Sequence, residues 1–175
     1  MSDLTLPVAT RIRRAPVSGP AHDVVVLTYD ERMLRRKRLV TLQGKGFLVD
    51  LPETVSLDHR DAFELADGRL IGVLAATEML MAVRGDLHRL AWHIGNRHAP
   101  CQIESDRLVI QSDRVLRQML LGLGAVVTDV TEPFRPEGGA YGHGRTLGHR
   151  HGPDDAMPHA LADDHSFLPP HSHEH

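Results

Sequence analysis

The sequence predicts an α+β chain in three parts, and three observations carry that prediction. Short apolar runs punctuated by Gly, Pro and Asp fill the first half. Near Thr77 the apolar spacing shifts from every second residue to every third or fourth, and past Pro133 the periodicity stops while histidine accumulates. At 175 residues and 41% apolar content, the part before that last stretch is long enough for two small domains with modest cores. Aromatic residues make up only 4%, so packing must rest on Leu, Val, Ile, Met and Ala.

Residues 1–76 read as a small antiparallel β domain, a sandwich or barrel. Val24–Leu27 is an apolar run, and Arg38–Leu42 and Phe47–Asp50 form a hairpin across Gln43-Gly44-Lys45-Gly46. After Leu51-Pro52, the segments Ala62–Leu65 and Arg69–Leu74 flank Ala66-Asp67-Gly68, whose Asp-Gly pair favours a tight turn.

Residues 77–135 change period. Met79, Met81 and Val83 alternate as in a strand; Gly85-Asp86 opens a helix with Leu87, Leu90, Ala91 and Ile94 on one face, and Gly95 is placed to end it. Cys101–Glu104 and Arg107–Ile110 are short strands joined across Ser105-Asp106. Ser112 or Asp113 can cap a second helix whose apolar side is Val115, Leu116, Met119, Leu120 and Leu123; Gly124 stops it, and Ala125–Val130 is the last strand. The resulting β-α-β-β-α-β order predicts a ferredoxin-like domain.

Residues 136–175 are expected to be a disordered Gly/His-rich tail with little fixed structure in the absence of metal. Eight of the 13 histidines lie there, from His143 to His175. Alternations such as His149-Arg150-His151 let an extended chain wrap imidazoles around one ion, and nickel, zinc and copper all accept such ligands. A purification tag is an uninterrupted run, whereas these histidines are interspersed with Asp, Gly, Pro and Arg; a merely solubilising end is the other alternative.

Upstream, His98 lies on the helix-to-strand connection before Pro100, which favours an outward side chain. One imidazole binds metal weakly, but two copies across a two-fold axis make a bidentate site. Spacing alone leaves a plain surface histidine, hydrogen-bonded in its loop, as the simpler reading. His88 and His93 are five residues apart on the helix, a poor spacing for joint ligation, and His22 and His59 are isolated in loops.

Other classes find less support. A net charge of −3 speaks neither for a nucleic-acid binder nor for an acidic tail protein, no nucleic-acid partner is expected, and no apolar run approaches the ~20 residues of a membrane span. With no signal-like segment read at the start, a cytoplasmic location is expected. The single Cys101 excludes an internal disulfide and a thiolate cluster. No His-Glu-x-x-His, Gly-x-Ser-x-Gly or phosphate-loop motif occurs, and no catalytic residue is assigned. A nucleophile-and-base pair of Cys101 and His98 lacks an orienting group. The cluster Arg35-Arg36-Lys37-Arg38 suits a solvated strand edge or a docking patch for an acidic protein.

Three stretches together carry a resemblance: Leu90-Ala91-Trp92-His93-Ile94-Gly95-Asn96-Arg97-His98-Ala99-Pro100, Pro133-Phe134-Arg135-Pro136-Glu137-Gly138-Gly139-Ala140-Tyr141, and the trailing histidines. The chain resembles the UreE family of urease accessory proteins, nickel metallochaperones of urease maturation, over nearly its whole length. The resemblance implies a homodimer in which His98 of each subunit holds Ni²⁺ at the two-fold axis, with His143, His149 and His151 as supplementary ligands; by imidazole chemistry alone Zn²⁺ or Cu²⁺ can also bind. It also implies an N-terminal domain similar to a chaperone peptide-binding module. Delivery through a partner GTPase to the apo-urease complex follows from the same resemblance. Where some relatives carry extra histidines before the second helix, this chain has Ile110-Gln111-Ser112-Asp113-Arg114. A peptide-holding chaperone whose tail only buffers metal is the rival expectation.

Overall fold

The computed structural model describes residues 6–138. The tail with His143, His149 and His151 lies outside the described residues.

The first sheet has six strands: β1 (Val8–Arg13), β2 (Asp23–Leu27), β3 (Met33–Val40), β4 (Gly46–Ser56), β5 (Ala62–Leu65) and β6 (Leu70–Ala75), in the order β2-β6-β5-β1-β4-β3. Alternate residues turn inward, Val25 and Leu27 from β2 and Phe47, Val49 and Leu51 from β4, so one face of each strand supplies the core. Phe47 meets Phe63 edge-to-face at 5.6 Å, which anchors that core despite the scarcity of aromatics. Gly44 (φ +78) and Gly68 (φ +83) take the left-handed positions of the two hairpin turns.

Three expectations for this region are corrected. The sheet is mixed rather than antiparallel, because β1 runs parallel to β4 and β2 parallel to β6. In both pairs other strands intervene in the chain, giving the long crossover that parallel neighbours need. β1 itself was not expected; Thr10, Arg11 and Arg13 dilute its apolar pattern, and it is held by pairing with β5 and β4. Pro52 does not interrupt β4. The register shifts between Leu34 and Arg36 opposite it, and β1 pairs with β4 only at Leu48 and Val49, so no ladder bond is required of a residue without an N–H.

The second sheet comprises β7 (Thr77–Arg84), β8 (Cys101–Ile103), β9 (Leu108–Gln111) and β10 (Val126–Pro133), in the order β10-β7-β9-β8 with every pair antiparallel. Helices α1 (Leu87–Gly95) and α2 (Arg114–Gly122) pack on it through Leu90, Ile94 and Leu120 against Met81, Val83, Leu108 and Ile110. Each such buried side chain contributes roughly 1.5–3 kcal/mol. Asp86 caps α1 by accepting from the Arg89 N–H at 3.3 Å, and Asp113 caps α2 by accepting from the Leu116 N–H at 2.7 Å. Val115 departs from its expected place on the apolar side of α2. It is 63% exposed, because the helix seats on Leu116, Met119 and Leu120, a turn of about 100° away.

Tyr29, Leu80, Val109 and Phe134 form a separate cluster where the two sheets meet. Tyr29 and Phe134 are edge-to-face at 5.2 Å, and the Tyr29 N–H donates to Glu78 Oε1 at 2.6 Å. The Arg32 side chain, 2% exposed, donates to the Phe134 carbonyl and lies over the Tyr29 ring at 5.5 Å. Beyond β10 the chain returns against β8, with the Arg135 N–H on Gln102 Oε1 at 2.8 Å and the Glu137 N–H on the Cys101 carbonyl at 2.9 Å. This return brings the start of the C-terminal segment beside the strand that follows His98.

Candidate metal centre

His98 is presented by the way α1 ends. Asn96 N–H bonds to the Trp92 carbonyl at 3.0 Å, Arg97 N–H to Ile94 at 3.1 Å and His98 N–H to Gly95 at 2.9 Å, so the turn tightens over three residues. His98 then adopts φ +54, the left-handed conformation usually left to glycine at a helix end. Gly95, expected to be the stop, is the last helical residue instead and lacks a positive φ. Holding a side-chain-bearing residue in this region costs on the order of 1 kcal/mol. The turn it makes sends the chain through Ala99 and Pro100 into β8 and leaves the imidazole in solvent.

Among the described residues the His98 ring has no hydrogen-bond partner. A histidine serving only its own loop would be tied to a backbone group; this one keeps both nitrogens open to a ligand from outside. Trp92, 64% exposed, stands on the same helix with His93 edge-to-face at 4.9 Å, while His88 is exposed. The structure brings neither His88 nor His93 into a cluster with His98, and among the described residues no three His, Cys, Asp or Glu side chains converge.

The two other histidines among the described residues, His59 and His22, are engaged within the first region. His59 Nδ1 accepts from the Ala75 N–H at 3.2 Å, and burial first, then the charges of Arg135, Arg60 and Arg32, hold its pKa below the usual imidazole value. His22 Nε2 lies 3.2 Å from an Arg69 guanidinium nitrogen. Cys101 packs against the second core, and burial, with a smaller contribution from Glu137, pushes its thiol up to about 11. A protonated thiol is a poor nucleophile, which argues against its pairing with His98 for catalysis.

The basic cluster Arg35–Arg38 occupies β3, an edge strand. Lys37 lies 3.9 Å from Glu31 and Arg36 pairs with Asp50, an arrangement typical of a charged, protected edge. Two features escaped sequence reasoning. The left-handed position of His98 had a faint signal, a helix end running into Pro100 with no glycine after Gly95. The burial of Arg32 at the joint had none, since its partner is a backbone carbonyl 102 positions away.

Comparison with known families covers both regions. The description "UreE urease accessory protein, N-terminal domain" matches residues 6–76, and "UreE urease accessory protein, C-terminal domain" matches residues 75–175. The chain is 65% identical over 149 residues to the urease accessory protein UreE of Cereibacter sphaeroides, covering 85% of this chain and 82% of that one. It is 60% identical to that of Ruegeria pomeroyi, covering 85% of this chain and 100% of that one, and 58% identical to that of Rhodobacter capsulatus, covering 83% and 93%.

Proposed function

The chain belongs to the UreE family of urease accessory proteins, and on that premise we propose that it carries Ni²⁺ to apo-urease during urease maturation. It acts as a metallochaperone rather than a catalyst. The observation that carries this reading is the exposed His98 imidazole, held at φ +54 with no partner among the described residues.

One imidazole is an incomplete site, and two sources can complete it. A homodimer formed through residues 77–135, read as a ferredoxin-like metal-binding domain, sets two copies of His98 across one two-fold axis on a single ion. Exposed Trp92 and Val115 on its two helices supply apolar surface for that interface. The second source is the segment 136–175. Glu137 is hydrogen-bonded to Cys101, and His143 follows within the roughly 20 Å that six extended residues can span. His143, His149 and His151 then add or withdraw imidazoles one at a time, so that cargo is exchanged rather than trapped.

The cargo is Ni²⁺, with Zn²⁺ and Cu²⁺ as competitors for the same nitrogens. Each imidazole must be neutral to ligate, so a metal competes with the proton for every nitrogen and loading weakens in acid. Residues 1–76 are the peptide-binding-like domain, and the ion passes through a partner GTPase to the apo-urease complex in the cytoplasm. Titration calorimetry with Ni²⁺ tests the site on the chain ending after Tyr141, with and without His98→Ala. The expected result is near-complete loss of binding in the variant; unchanged binding would assign the metal to other residues.

A further inference from the structure

Besides His98, one other side-chain-bearing residue among those described holds a positive φ, and it is Arg60. Arg60 is the third residue of the turn Asp58–Asp61, which closes with the Asp61 N–H on the Asp58 carbonyl at 3.2 Å. Its φ of +75 is the conformation for which glycine is the ordinary choice at that position of a turn. The chain thus keeps an exposed arginine where a glycine would fold with less strain.

This turn lies where the two regions meet. The Leu57 N–H donates to the Arg32 carbonyl at 2.9 Å, the Arg32 side chain donates to the Phe134 carbonyl, and Arg135 follows, its N–H held on Gln102 Oε1 at 2.8 Å. His59 Nδ1 accepts from the Ala75 N–H at 3.2 Å, so the neutral ring carries its proton on Nε2, which has no partner among the described residues. The charges of Arg135, Arg60 and Arg32 all act on this ring. Among the described residues neither Arg60 nor Arg135 is paired with a carboxylate. Asp58 forms no ion pair with them although it shares the turn, and Asp61 is committed to Arg14, the Ala15 N–H and the Asp58 N–H. Donors and positive charge therefore gather from three segments with no acceptor for Arg60, Arg135 or the ring N–H.

We propose that Arg60, Arg135 and the His59 ring N–H bind a phosphate dianion where the two regions meet. Two guanidinium forks and a ring N–H offer more donors and more charge than one carboxylate satisfies, whereas a tetrahedral dianion takes both forks at once. Bound there, the anion ties the first region to the end of β10, from which the segment 136–175 departs. The site uses none of the nitrogens assigned to nickel and needs no metal.

The test uses the metal-free full chain, with inorganic phosphate replacing chloride at constant ionic strength. At roughly twentyfold over its dissociation constant, phosphate should raise the melting temperature by about 4 °C. It should also shift the His59 ring resonances in nuclear magnetic resonance spectra. Arg60→Gly relieves the backbone and should fold at least as stably, yet combined with Arg135→Gln it should lose the response to phosphate, while His98→Ala keeps it. Glycerol phosphate presents the same dianion, and a stronger response to it or to the free ion supports the site and names the source. No rise relative to chloride, a full response in the double variant, or unmoved His59 resonances overturns the proposal. So does a chain that responds only once Asp154, Asp155, Asp163 and Asp164 are changed to Asn, because the occupant is then its own C-terminal segment.

Discussion

The two sheets both pair their arginines with carboxylates, and they differ in what they do with their histidines. In the first, Arg13 is fixed on Glu64 and Arg14 on Asp61, and one ring nitrogen each of His59 and His22 is taken by Ala75 and Arg69. In the second, the helix-bearing face projects His98 into solvent with no partner among the described residues and exposes Trp92 on the same helix. The contrast teaches that a titratable group already satisfied inside its own fold is structural, whereas one held out at a conformational cost is available for something else.

The largest expected effect falls on the cluster where the two regions meet. Phe134 is fully buried among Tyr29, Leu80 and Val109, and Phe134→Ala should cost about 3–5 kcal/mol. Calorimetry should show one transition for the parent chain and two for the variant; one unsplit, unshifted transition in the variant would mean that the sheets are not coupled there. Next comes the first region alone. Asp61 is buried and accepts from Arg14, the Ala15 N–H and the Asp58 N–H, so Asp61→Ala strands three donors and should cost about 2 kcal/mol or more. Nickel affinity should not change, and a parallel loss of affinity would blur the comparison. Smaller is Asp113→Ala, which removes the cap of α2 at a cost of about 1 kcal/mol by denaturant titration.

His98→Gly sharpens the comparison most at a single residue. Glycine takes φ +54 without strain, so stability should rise by up to about 1 kcal/mol while the metal ligand is lost. The smallest effect is a pH dependence in the first region. Because the folded-state pKa of His59 is lowered, the unfolded chain binds that proton more readily, and the stability His59 contributes is present above about pH 6.5 and lost as pH falls below it. His59→Gln should flatten that slope in pH-dependent melting, leaving the parent steeper.

Periodicity made the second region legible and the first only partly so. Leu87, Leu90, Ala91 and Ile94 repeat at helical spacing with Asp86 in front of them, and Asp113 stands before α2, so both helices could be placed from sequence. β1 could not, since Thr10, Arg11 and Arg13 conceal a strand whose stability comes from distant partners. The parallel pairings and the role of Phe134 were hidden for the same reason, because neither is a local property of the chain. His98 was legible as a residue, through its loop position and the stretch around it, but its left-handed backbone was not. Amphipathic spacing reports which face is buried; it does not report which residue absorbs the turn at the end.

The central claim is that two chains share one Ni²⁺ through paired His98 side chains. Native mass spectrometry of the chain ending after Tyr141, titrated with Ni²⁺, tests it most directly. One nickel per two chains, abolished by His98→Ala, is the predicted result; one nickel per single chain, or a stoichiometry that His98→Ala leaves untouched, would contradict it.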